Sequence, residues 1–151
     1  MIKLTVNSVQ DTHQFAQKMA KLLPLGTVIL LEGNLGTGKT TFTQGFGRAL
    51  GIQRAIKSPT YTIVKEYPLE KGTFIHIDAY RLEDGGADSI DLPHYLNENT
   101  LVVIEWAIFV QEDLPTEYVK VRFSVGETEN ERHIEVEATP QYQTLLQSLE
   151  A

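Results

Sequence analysis

The chain has 151 residues, the size of one domain and enough to bury a real core. With 42% hydrophobic and 22% charged residues it has the composition of an ordinary globule, and no apolar run nears the roughly 18 residues of a membrane span. The absence of cysteine excludes disulfides and thiolate metal sites, while 13 Lys and Arg against 20 Asp and Glu give a net charge of −7, which disfavours a direct grip on nucleic acid.

Met1 to Val6 alternates like a strand and lacks the apolar core of a signal peptide, so a cytoplasmic address is expected. Ser8 with Asp11 reads as a capping box, after which Phe15, Met19, Leu22 and Leu23 mark one helical face that Pro24 stops. Thr27 to Leu31 is a short apolar run suited to a fully buried strand. Gly33 to Thr40 then reads Gly-Asn-Leu-Gly-Thr-Gly-Lys-Thr, a complete phosphate-binding loop. Phe42, Phe46 and Leu50 follow at intervals of four, one face of a helix that Gly51 can end.

With a buried strand before it and a helix after it, the loop names a ligand class, a nucleoside triphosphate with Mg²⁺. Backbone N–H groups of Asn34, Leu35, Gly36, Thr37 and Gly38 form the anion cradle, and the helix N-terminus adds its dipole. Lys39 is placed to reach the β- and γ-phosphates, the Thr40 hydroxyl to ligate Mg²⁺, and Thr41 stands beside them.

Further along, Ser58-Pro59-Thr60 occupies a position typical of a loop that senses the γ-phosphate. On pattern alone a turn is favoured, since Pro59 fixes φ and Thr60 can cap locally. Tyr61 to Tyr67 alternates like a strand, and Phe74 to Ile77 can pair with it through the Leu69–Gly72 turn. A glycine-rich stretch from Asp84 to Ala87 precedes Ile90, Leu92, Tyr95 and Leu96, and Leu101 to Ile104 is a second fully apolar strand. Tyr118 to Val125 and His133 to Glu137 suggest a hairpin, with a short helix over Gln141 to Leu149. Some connections suit parallel crossovers and at least two suit hairpins. The expected fold is therefore α/β, a single phosphate-loop NTPase domain whose mixed parallel and antiparallel central sheet carries flanking helices.

Mg²⁺–triphosphate chemistry needs an acid near the metal, usually at the carboxyl end of a strand beside the loop. Asp78 follows Phe74 to Ile77 and Glu105 follows Leu101 to Ile104, so each empties into the expected nucleotide crevice. Glu105 has the stronger strand context and is preferred at the metal. Asp78 is left to share the metal through water or to position the attacking water. Trp106 either walls the nucleotide pocket or fills core, and His76 is expected to face the core or its edge. His13, His94 and His133 show no metal-ligand spacing.

From Glu112 to Glu137 eight acids (Glu112, Asp113, Glu117, Glu127, Glu129, Glu131, Glu135, Glu137) meet Lys120, Arg122 and Arg132, a solvated face by preference and a docking surface for a basic partner otherwise. No Asn-Lys-x-Asp or Thr-Lys-x-Asp stretch is present to read guanine, and five arginines are few for a kinase lid that clamps phosphorylated substrates. ATP hydrolysis is favoured, a small-molecule kinase and a nucleotide-gated binding module being the alternatives.

Taken in order, the loop with its doubled threonine (Gly33 to Thr41), Ser58-Pro59-Thr60-Tyr61, His76-Ile-Asp78-Ala-Tyr80-Arg81-Leu82 and Ile104-Glu105-Trp106 resemble the bacterial TsaE (YjeE) family from about Ile2 to the hairpin around Arg132. The resemblance implies a small cytoplasmic ATPase, with ATP and Mg²⁺ bound and ADP as product, acting in threonylcarbamoyl modification of adenosine in transfer RNA. It implies the TsaD and TsaB proteins as partners, no strong direct nucleic-acid binding and no membrane. Carried over by motif, Lys39 and Thr40 hold phosphate and Mg²⁺, Glu105 ligates the metal and Asp78 is the second essential acid. Trp106 lies near the nucleotide, with Thr12, Thr60 and Arg132 as further candidate contacts. Two departures stand out: Ala107-Ile108-Phe109 follows the Glu-Trp pair where the family often has proline, and Asp84 to Ala87 replaces a more helical stretch.

Overall fold

A computed structural model describes residues 1–34, 36–53, 56, 64–80 and 91–150. In chain order the elements are β1 (Ile2–Val6), α1 (Val9–Leu22), β2 (Val28–Glu32), α2 (Lys39–Ala49), β3 (Val64–Pro68), β4 (Thr73–Asp78) and the single turn α3 (Leu92–Tyr95). There follow β5 (Thr100–Glu105), a 3₁₀ segment Ala107–Asp113, β6 (Val119–Val125), β7 (Arg132–Ala138), α4 (Pro140–Leu146) and a closing 3₁₀ turn, Gln147–Glu150. Seven strands form one mixed sheet in the order β1-β7-β6-β2-β5-β4-β3. β2 runs parallel to both neighbours, β5 and β6, and β4 runs parallel to β5; β3–β4, β6–β7 and β1–β7 pair antiparallel. The α/β fold and the mixed sheet expected from the sequence are present.

The apolar runs of β2 and β5 are continuous because both faces of the central sheet are covered. Ile29, Leu31, Leu101 and Val103 pack with Phe15, Met19, Phe42 and Phe46 of α1 and α2 in one cluster. Val28, Leu30, Val102 and Ile104 face the other cluster with Leu92, Ala107 and Val110. β6 is covered on one face only, so it alternates: Val119, Val121 and Phe123 are buried, while Lys120 and Arg122 turn toward solvent. There Arg122 meets Glu32 at 3.0 Å and Glu135 at 3.4 Å, and Lys120 meets Glu32 at 3.5 Å, so part of the late acidic excess lies on a solvated face with its own cations.

Local signals explain the helix ends. The Ser8 Oγ accepts the Asp11 N–H at 3.0 Å, as a capping box requires, but the Asp11 carboxylate accepts from Asn7 at 3.1 Å and not from Ser8. At the end of α2, Gly51 adopts φ +94°, its N–H donates to Arg48 and the Ile52 N–H to Gly47, a Schellman termination that a glycine suits. The strand expected over Tyr61–Tyr67 is seen as Val64–Pro68, its first three residues lying outside the described ones. The C-terminal helix is α-helical to Leu146 and then tightens. Leu35, Ser58-Pro59-Thr60, Arg81, Leu82, the Asp84–Ala87 stretch and Ile90 also lie outside the described residues.

Candidate active site

β2 delivers the chain to Gly33 at the centre of the sheet, and α2 carries it away from Lys39, so the loop turns above the carboxyl ends of β2 and β5. Inside the loop, Thr37 is buried and its hydroxyl donates to the Asn34 carbonyl at 2.6 Å, as does its N–H at 3.3 Å, which locks the turn. Gly33 is required by close approach. A Cβ there would lie 2.7 Å from both the Phe123 carbonyl oxygen and the Thr37 hydroxyl, at φ +143°. Gly33→Ala is expected to shift the loop and to destabilise the fold by about 1–3 kcal/mol, in the range of overpacking. Thermal denaturation measures this, and an unchanged Tm with unchanged nucleotide affinity would contradict it.

Below the loop, parallel pairing of β4 with β5 sets Asp78 directly opposite Glu105. Alternation puts His76 and Asp78 on the face that α2 covers. Glu105 is 4% exposed, and both its oxygens are engaged. Its Oε2 accepts from His76 Nε2 at 2.6 Å, and Oε1 faces Lys39 Nζ at 3.7 Å. The same ammonium sits 4.7 Å from the centre of the Trp106 ring, a cation–π approach. Trp106 reaches that place by a left-handed turn (φ 58°, ψ 44°), unusual for a bulky residue, with Tyr80 and Phe109 packed against its ring. It therefore walls the cleft.

Asp78 is half-buried, and its Oδ1 accepts the Tyr80 N–H at 3.0 Å. Burial first, and then the charge of Glu105, hold its carboxyl above the ordinary range; the Tyr80 N–H, His76 and Lys39 pull the other way. Since protonation is easier in the folded protein than in the unfolded chain, the stability tied to Asp78 is complete below the unfolded value and is lost as pH rises through the raised folded value. Asp78→Asn should therefore raise the Tm relative to wild type at pH 7 and lose that advantage at acid pH. Parallel melting curves across pH check the sign.

A cleft of about 270 Å³ opens over these groups. Ser8, Val9 and Thr12 at the start of α1 form one wall, Gly36 and Gly38 to Thr41 the floor, and Asn130 and Arg132 the far side. Glu105 and Trp106 close its inner end. The Arg132 guanidinium is tied to the carbonyls of Glu129, Glu131 and, at 3.4 Å, Gly36 of the loop itself. A second depression of about 310 Å³ shares Lys39 and Trp106 with the first and takes in Asn34.

Of the residues expected at the site, Thr12, Gly36, Gly38, Lys39, Thr40, Thr41, Glu105, Trp106 and Arg132 line one cleft, with Asp78 beside Glu105. Thr37 is turned into the loop, and Leu35 and Thr60 lie outside the described residues. His76 was expected only as a core or edge residue, although its place two before Asp78 already put it on the acids' face. Ser8, Val9 and Asn130 carry no such signal.

The donors suit a hard cation. Among the described residues no three His, Asp or Glu side chains form a self-sufficient metal cage, so an ion here would rely on the oxygens of Thr40, Glu105 and Asp78 together with phosphate oxygens. That is how Mg²⁺, which keeps part of its water shell and few protein ligands, is usually held.

A family profile described as threonylcarbamoyl adenosine biosynthesis protein TsaE matches residues 6–134. The chain belongs to the TsaE family. A TsaE protein of Bacillus subtilis is 42% identical over 117 residues, 78% of this chain and 73% of that protein. One from Streptomyces coelicolor is 39% identical over 132 residues, covering 82% and 88%. Both bear the name tRNA threonylcarbamoyladenosine biosynthesis protein. A crystal structure of YdiB from the same Bacillus superposes with a TM-score of 0.84 at 31% identity, across 99% of this chain and 93% of that one. In this TsaE-family chain the residues after the Glu-Trp pair, Ala107–Asp113, form the 3₁₀ segment that Trp106 turns into.

Proposed function

We propose that this chain is an ATPase of tRNA threonylcarbamoyladenosine synthesis, hydrolysing Mg–ATP to ADP and phosphate in support of a TsaD–TsaB complex. The supporting observation is the convergence of Lys39 and Glu105, 3.7 Å apart, at the inner end of a cleft floored by the phosphate loop. The family description and the names of its relatives supply the pathway.

In this reading Lys39 leaves Glu105 to neutralise the β- and γ-phosphates, while loop amides and the α2 N-terminus hold the remaining charge. Thr40 and Glu105, with Asp78 beside them, would hold Mg²⁺, which would supply further neutralisation of the phosphate oxygens. Water attacks the γ-phosphorus, the bond to the bridging oxygen breaks, and ADP and phosphate leave. Asp78, whose carboxyl is held above the ordinary range, is suited to orient that water and take its proton. Thr12 and Arg132 face the nucleoside side of the cleft, and Trp106 covers its inner end.

Slow turnover by the isolated chain goes with this arrangement. Arg132 is the arginine that lines the cleft among the described residues, and three carbonyls hold its guanidinium. An arginine supplied in trans adds roughly 10³–10⁵ in rate where it operates. A cytoplasmic setting goes with a role in tRNA modification, and no helix among the described residues is long and apolar enough to cross a membrane.

The purified chain incubated with γ-labelled ATP and Mg²⁺ is expected to release inorganic phosphate. Label transferred to a metabolite would establish a kinase, and ATP left intact beside a nucleotide-dependent partner would establish a binding module.

A further inference from the structure

His76 lies in the middle of β4 and is wholly buried, on a face that carries Phe74, Leu101 and Val103 below it and Asp78 and Glu105 at its carboxyl end. Its Nε2 is 2.6 Å from Glu105 Oε2, while its Nδ1 is buried and meets no hydrogen-bond partner among the described residues. A carboxylate can only accept, so the ring proton sits on Nε2 and points at Glu105. Among the described residues this is the one side-chain hydrogen bond the imidazole makes. The bond that is made falls on a residue of the candidate site.

We propose that His76 is a positioning residue for Glu105. It ties down Oε2 and thereby turns Oε1 toward Lys39 and the cleft. At 3.7 Å the Lys39 contact is too long to hold the carboxylate in one orientation, so the histidine does. Without it, the Glu105 side chain is free to adopt rotamers that aim neither oxygen at the phosphate loop. The inference rests on the functional reading above, in which Glu105 faces the metal–nucleotide complex. It adds a group that contacts neither nucleotide nor ion.

The test compares His76→Leu, which removes the donor, with His76→Gln, whose terminal amide has the same reach as Nε2. Mn²⁺ binding to the protein with a non-hydrolysable ATP analogue is followed by electron paramagnetic resonance, alongside melting curves and the Mg²⁺ dependence of phosphate release. His76→Leu should melt somewhat lower than wild type, because the buried Glu105 Oε2 loses its donor, and bind Mn²⁺ about 10- to 100-fold more weakly, the usual effect of losing a partner behind a metal ligand. His76→Gln should recover most of that loss. If the Leu variant fails to fold, His76→Asn, whose amide is too short to reach, takes its place. An unchanged Mn²⁺ affinity in the donor-free variant overturns the inference alone. A Gln variant as impaired as Leu, with both melting low, also overturns it by reducing His76 to packing. Wild-type protein that binds no Mn²⁺–nucleotide overturns the functional reading as well.

Discussion

Lys39→Ala is expected to abolish useful binding of a nucleoside triphosphate, weakening it on the order of 100-fold or more. Lys39 is 7% exposed, stands at the first residue of α2 and holds the inner end of the cleft against Glu105. Hydrogen bonds to charged groups contribute about 1.5–3 kcal/mol each, and the triphosphate takes more than one from this lysine. The substitution also removes the cation between the phosphates and a buried carboxylate, leaving like charges to face each other. Stability should fall too, by less than the roughly 3–5 kcal/mol of a broken buried pair, because His76 keeps its bond to the other Glu105 oxygen. Calorimetric titration with a non-hydrolysable ATP analogue measures the affinity. Trp106, the only tryptophan and 4.7 Å from the ammonium, gives an independent fluorescence signal. Wild-type affinity in the variant would sink the assignment of the cleft.

Glu105→Gln should leave nucleotide affinity largely intact and lower kcat by about 10²–10³, the scale on which one preorganised electrostatic group acts in a buried site. Gln keeps the volume and can still accept from His76, so the fold is preserved while the charge facing the cleft is lost. The Mg²⁺ concentration giving half-maximal turnover should rise more in Glu105→Gln than in Asp78→Asn. Glu105 is buried at the cleft's inner end, whereas Asp78 stands beside it, half-buried and bonded to the Tyr80 amide. The reverse order would give the metal to Asp78 and the water to Glu105.

Much of this site was legible because its signals are local. The loop's spacing, the buried run before it and the Phe42–Phe46 face after it are short-range features, and each reappears as β2, loop and α2. The two acids were legible for the same reason, since each ends an apolar strand. Their adjacency was not, because it depends on β4 pairing parallel with β5 across 27 residues of chain. The sheet order was equally hidden: β1 pairs with β7, joining Ile2 to Val136, and nothing near either residue announces it. The contact of Arg132 with the Gly36 carbonyl likewise follows from where the β6–β7 hairpin lands. Trp106 gave no local sign of its left-handed turn, since that conformation usually selects glycine, asparagine or aspartate. His76 was legible as a core residue and is wholly buried. Only the third dimension supplies the carboxylate it meets at 2.6 Å.

Phosphate release from Mg–ATP, followed with the purified chain alone and with purified TsaD and TsaB added, tests the central claim most directly. A slow rate alone that rises when both proteins are present, and is lost in Lys39→Ala and Glu105→Gln, is the predicted result. Rapid turnover by the isolated chain that the two proteins leave unchanged would contradict it.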